Sequence, residues 1–112
     1  MHPYELISIL SRFRIMVCAA RAYHLLGQLW PPARQFGFPP EHRWDNRSDI
    51  YCLGAVLAQQ LPKETRHIPP DVRRLLQILQ RRTLCPSPRG RYSCCEELLE
   101  DLDRAILLLD SC

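Results

Sequence analysis

Between Asp49 and Lys63 the chain carries no charge at all, although 24% of its 112 residues are charged. The run Ile50-Tyr51-Cys52-Leu53-Gly54-Ala55-Val56-Leu57 is apolar nearly all round when placed on a helix. A helix without a polar face is buried on every side, so the other segments are expected to pack around this one as an axis. Ser48 or Asp49 is suited to cap it, and Pro62 to stop it after Leu61. Gly54 in its middle costs about 1 kcal/mol relative to alanine. That cost points to a second backbone passing close by.

Three further helices follow from apolar spacing. In the first, from about Tyr4 to Leu29, the residues Leu6, Ile9, Leu10, Phe13, Val17, Ala20 and His24 share one side. Pro31-Pro32 is expected to end it, and Ala33 to Arg47 reads as a loop. Pro69-Pro70-Asp71 opens the third, Val72 to about Leu84, with Val72, Leu75, Leu76 and Leu79 inward. Its arginines 73, 74, 81 and 82 face water. For the fourth, Ser93 with Glu96 three positions on makes a capping box. Leu98, Leu99, Leu102, Ala105, Ile106 and Leu109 are expected inside, with Glu100 and Arg104 paired across one turn. No strand-like alternation and no internal repeat is found. The fold class is all-α, four to five helices bundled around a buried central one.

Several functions are excluded or disfavoured. Ten prolines against four glycines make a chain punctuated by proline. Neither G-x-x-x-x-G-K-[ST] nor G-x-G-x-x-G occurs, so a nucleotide enzyme built on those loops is ruled out. No stretch approaches the ~20 apolar residues of a bilayer crossing, and the arginines running through Met1–Leu29 disfavour a secretory signal. A cytoplasmic location is expected. The six cysteines, Cys112 among them, show no C-x-x-C spacing, and reduced thiols without zinc are expected. No catalytic Cys–His pair can be assigned by spacing. A net charge of +3 without aromatics between the arginines does not favour nucleic acid.

Three segments in order carry a family resemblance: Phe38-Pro39-Pro40-Glu41, then Asp49 to Leu57, then Ser87-Pro88-Arg89-Gly90-Arg91-Tyr92-Ser93 with Glu97-Leu98-Leu99. Together they resemble the C-terminal lobe of protein kinases, over about Gln35 to Leu107. The length and the absence of any domain boundary read as one domain over residues 1–112. It comprises an amphipathic helix in 1–32, a P-P-E loop in 33–47, and the central, third and last helices in 48–112. The resemblance implies a buried ion pair between Glu41 and Arg91, and a structural role for Asp49 at the start of the central helix. Pro39 stands where the family has Ala, and Cys52 where it has Ser.

What the family uses for phosphoryl transfer is missing. There is no H-R-D loop with its downstream Asn, no D-F-G and no glycine-rich loop with a strand lysine. His42-Arg43-Trp44-Asp45 follows the P-P-E triplet, whereas a catalytic loop precedes it. No Asp or Asn stands before Asp45, and the sole lysine is Lys63. Eight residues between Leu61 and Pro70 leave no room for the helix that kinases carry there. The chain is similar to the kinase non-catalytic C-lobe domain found in Spire-type actin nucleators. The resemblance therefore implies no enzyme activity and no cofactor, and a protein or peptide partner. Trp44, Glu97, Glu100 and Asp103 are the candidate partner surface, with oligomeric state left open. A fragment or internally deleted isoform of an active kinase is the alternative.

Overall fold

The first helix is shorter than its apolar pattern, and a single glycine is the reason. A computed structural model describes residues 2–111; Cys112 lies outside them. Helix α1 runs Pro3–Leu25, four residues short of the expected Leu29. Gly27 takes a left-handed φ of 73°. Its N–H bonds to the carbonyl of His24 at 3.0 Å, while that of Gln28 returns to Tyr23 at 2.9 Å. These two bonds make a Schellman motif, which closes the helix before Pro31 is reached. A short 3-10 turn, Pro31–Gln35, then occupies the first part of the expected loop.

Helix α2, Asn46–Gln60, begins earlier than either expected cap. Asp45 is the N-cap: its carboxylate accepts from the Arg47 N–H at 2.9 Å, and its own N–H donates to the Ser48 hydroxyl at 3.0 Å. Asp49 therefore does not cap the helix. It sits inside the first turn, and its side chain is free for longer-range contacts. Nor is α2 buried all round. Ile50, Cys52, Leu53, Val56 and Leu57 are buried, but Tyr51 and Ala55 are half-buried and Ala58 to Gln60 are exposed.

Helices α3, Pro70–Leu84, and α4, Cys95–Asp110, complete the bundle, with a 3-10 turn at Pro88–Gly90 between them. The described residues form four α-helices and no strand, an all-α architecture. α2 packs against α1 and α3, and α4 bridges α1 and α3. One apolar cluster runs through all four helices, from Leu6 and Phe13 through Leu53 and Leu79 to Leu102. The radius of gyration is 13.6 Å, close to the ~13 Å of a compact chain of this length.

Three local expectations are corrected. The close neighbour of Gly54 is not backbone but the side chain of Thr83 on α3; a Cβ added to Gly54 would lie 2.5 Å from Thr83 Cβ. The capping box of α4 does not form: Cys94 is the N-cap without a side-chain bond to the helix backbone, Ser93 donates to Glu97, and Glu96 pairs with Arg21 at 2.5 Å. Arg104 meets Asp101 at 3.5 Å, not Glu100. In each case a partner from outside the local turn, or a closer carboxylate, displaces the contact that spacing favours.

Candidate functional site

Two polar clusters converge on the first turn of α2, because Ser48 and Asp49 point to different sides of it. On Ser48's side, the hydroxyl that closes the cap also donates to Glu41 Oε2 at 2.8 Å. Arg91, just after the Pro88–Gly90 turn, meets the same carboxylate with Nη1–Oε2 at 2.6 Å and Nη2–Oε1 at 2.9 Å. Its remaining N–H groups donate to the carbonyls of Cys85 at 2.8 Å, Arg47 at 3.0 Å and Pro86 at 3.2 Å. All five guanidinium donors are thus used. The Arg91 side chain is 0% exposed and that of Glu41 15%. The Tyr51 ring lies against the guanidinium at 4.9 Å. The bidentate bond to Arg91 holds the Glu41 carboxyl down at about 2, against a burial effect in the other direction.

On the other side, Asp49 Oδ2 accepts from the Trp30 N–H at 2.7 Å and lies 2.7 Å from His24 Nε2. Both side chains are buried, 7% exposed for His24 and 1% for Asp49. Asp49 Oδ1 is buried with no hydrogen-bond partner. The other ring nitrogen of His24, Nδ1, faces Cys95 Sγ at 3.7 Å. A thiol, an imidazole and a carboxylate therefore stand in line, contributed by α4, α1 and α2. Burial pushes the Cys95 thiol up to about 12, with the nearby Glu96 and Asp49 charges acting in the same direction. A cavity of about 120 Å³ borders this line, walled by Arg21, His24, Asn46, Cys94, Cys95 and Glu96.

The candidate partner surface is scattered and largely engaged. Trp44 is half-buried against the core, with the Arg34 guanidinium 5.0 Å from its ring centre. Glu97 accepts from Ser93 at 2.7 Å, and Asp103 is gripped by Arg14 at 2.6 and 3.3 Å. Glu100 is exposed and has no such partner. Among the aromatics of the proline loop, Trp30 is buried and stacks on Phe36 at 5.8 Å, while Phe38 is exposed. Among the described residues, no group of three or more His, Cys, Asp or Glu is placed to hold a metal ion. No described helix is long and apolar enough to cross a membrane.

His24 and Cys95 are the residues that sequence reasoning passed over as site members. Seventy-one positions separate them, so spacing holds no trace of the contact. The one signal was His24 itself, an ionisable group on the buried stripe of α1, where a polar partner is required. No family model, no curated protein and no solved structure matches the chain.

Proposed function

We propose that the chain is a non-catalytic module with the build of a kinase C-lobe, cytoplasmic, whose task is to bind a protein or peptide partner. The resemblance in sequence order is supported by the Glu41–Arg91 pair, which ties the P-P-E loop to the segment before the last helix. It is supported too by Asp49, whose carboxylate holds the backbone of Trp30. The residues that would carry phosphoryl transfer have no counterpart in the sequence, and the Glu41–Arg91 cluster ties two loops together.

One observation carries the binding role. Tyr4, Ile15, Leu25 and Leu26 on and just after α1 are each 67–75% exposed, apolar surface whose burial against a partner would be favourable. The acids of α4 serve less well, since Glu96, Glu97 and Asp103 are already bonded within the chain.

Proximity labelling with the native chain and with Ile15→Glu/Leu26→Glu tests this. The reading expects a partner set that disappears in the variant while the helical melt is retained; an unchanged set refutes it. A thermal-shift titration with ATP and Mg²⁺ expects no stabilisation. A saturable shift favours the second reading, a fragment or internally deleted isoform of an active kinase, which the same uncovered α1 face would also suit.

A further inference from the structure

The line Cys95–His24–Asp49 has the parts of an activated nucleophile: a thiol, a base within reach of it, and a carboxylate orienting the base. Asp49 Oδ2, 2.7 Å from Nε2, fixes the tautomer that leaves Nδ1 unprotonated toward the sulfur 3.7 Å away. Cys95 is also the first residue of the 16-residue helix α4. Its N–H is one of the first-turn donors that a helix cannot satisfy internally, and Cys94 supplies no side-chain cap. A donor beside the thiol suits the oxyanion of an acyl-transfer intermediate. The adjoining cavity, about 120 Å³, has several times the room that one water needs. It suits a short acyl chain.

We propose that Cys95 is an acyl-acceptor thiol, taking a short acyl group from a thioester with His24 as base and Asp49 as its positioning residue. The sulfur attacks the thioester carbonyl as its proton passes to His24 Nδ1. The new S–C bond forms, the bond to the original sulfur breaks, and His24 returns the proton to the departing thiolate. The products are an acylated Cys95 and a free thiol, with no change of oxidation state. Because burial disfavours a standing thiolate, the proton has to leave during the attack, which makes the histidine essential. This inference is independent of the kinase-like reading.

Cys52 provides an internal control. It is as buried as Cys95, 0% against 1% exposed, and burial pushes its thiol up as well. Its contact is the Gly37 carbonyl at 3.6 Å, not a histidine. The full chain is incubated with S-acetyl-N-acetylcysteamine, and acetylation at each cysteine is followed by peptide mass spectrometry. Cys95 is expected to react about a hundredfold faster than Cys52, the scale of general-base assistance. His24→Gln is expected to bring Cys95 down to the Cys52 rate while the melt stays cooperative. Equal rates at Cys95 and Cys52 in the native chain overturn the proposal. So does a Cys95 rate that His24→Gln leaves unchanged, since access through the cavity would then explain it. Should His24→Gln fail to fold, Asp49→Asn takes its place: a Cys95 rate lowered toward that of Cys52 supports the proposal, and a Cys95 rate left unchanged overturns it.

Discussion

The guanidinium of Arg91 and the carboxylate of Glu41 meet fork to fork at 2.6 and 2.9 Å, fifty positions apart in the chain. The pair joins the loop ahead of the central helix to the segment ahead of the last one. Its two ends are not equivalent. Glu41 keeps some contact with water, whereas Arg91 has none. Losing one partner of a buried pair typically costs about 3–5 kcal/mol, because the other is left as an enclosed charge. Glu41→Gln, which strands the fully enclosed cation, should fall at the upper end of that range. Arg91→Ala should fall lower, its released carboxylate being able to hydrate. Urea denaturation of both singles and the double variant should give a double loss smaller than the sum. Additive losses would mean that the two groups do not stabilise one another.

The same pair should contribute to the acid limit of the fold. Glu41 titrates at about 2 in the folded chain against an ordinary 4.5. A carboxyl depressed by folding stabilises the native state above its unfolded value, and that contribution is lost as pH falls toward the folded one. Stability should therefore decline between about pH 4.5 and 2, and Glu41→Gln should flatten this stretch of the curve. Cys52 and Cys95 act in the opposite sense, raised by burial from 9 to about 11 and about 12. Their neutral forms are favoured by folding, so that contribution is whole below pH 9 and lost as pH rises toward 11–12. Melting temperatures across pH 2–12 should show both flanks. An acid flank of equal slope in Glu41→Gln would show that other carboxylates set it.

How much of this was legible beforehand depended on whether the determining contact was local. The buried stripe of α1, the inward leucines of α3 and the axial place of Ile50, Leu53 and Leu57 follow from periodicity, and these residues are buried. Helix ends were read less well. Gly27 stops α1 by backbone geometry, which the apolar pattern ahead of Pro31 conceals. Asp45 outcompetes Ser48 and Asp49 as cap because Ser48 is drawn to Glu41 and Asp49 to His24 and Trp30. Glu41 and Arg91 could be named together only through the resemblance, since periodicity says nothing of residues on two loops. His24 and Cys95 fall outside any motif, and only the packing of α1 on α4 reveals them.

Gly27 and Gly54 should respond to alanine for different reasons. Around Gly27 there is open space, and its left-handed φ of 73° is the whole constraint. Gly27→Ala should cost about 1 kcal/mol, and asparagine less, because it tolerates that conformation. Gly54 has ordinary helical geometry, so alanine there would gain about 1 kcal/mol in helix propensity were nothing nearby. Thr83 is nearby: the added Cβ would stand 2.5 Å from Thr83 Cβ and also meet its hydroxyl. Overpacking of that kind costs about 1–3 kcal/mol and decides the sign. Gly54→Ala/Thr83→Ala should lose less than the two single losses added, since the hydroxyl contact is gone. A stabilised Gly54→Ala in denaturant melts would mean that α2 and α3 can separate without penalty.

Asp49 allows a sharper test of what a buried carboxylate is for. Its Oδ2 satisfies two donors, the Trp30 N–H and His24 Nε2, while Oδ1 satisfies none. Asp49→Ala leaves both donors buried and unpaired, at about 1–3 kcal/mol each. Asp49→Asn keeps one acceptor oxygen where Oδ2 stands and puts the amide in place of the orphaned oxygen, removing an ionised group from the interior. The amide N–H groups then need acceptors of their own, so the asparagine variant should be closer to the native chain in urea midpoint than the alanine variant without matching it. It should still slow acetylation of Cys95, because a neutral amide stabilises the imidazolium formed at His24 less than a carboxylate does. Equal losses of stability in the two variants would show that the charge on Asp49, rather than its place as an acceptor, is what the fold requires.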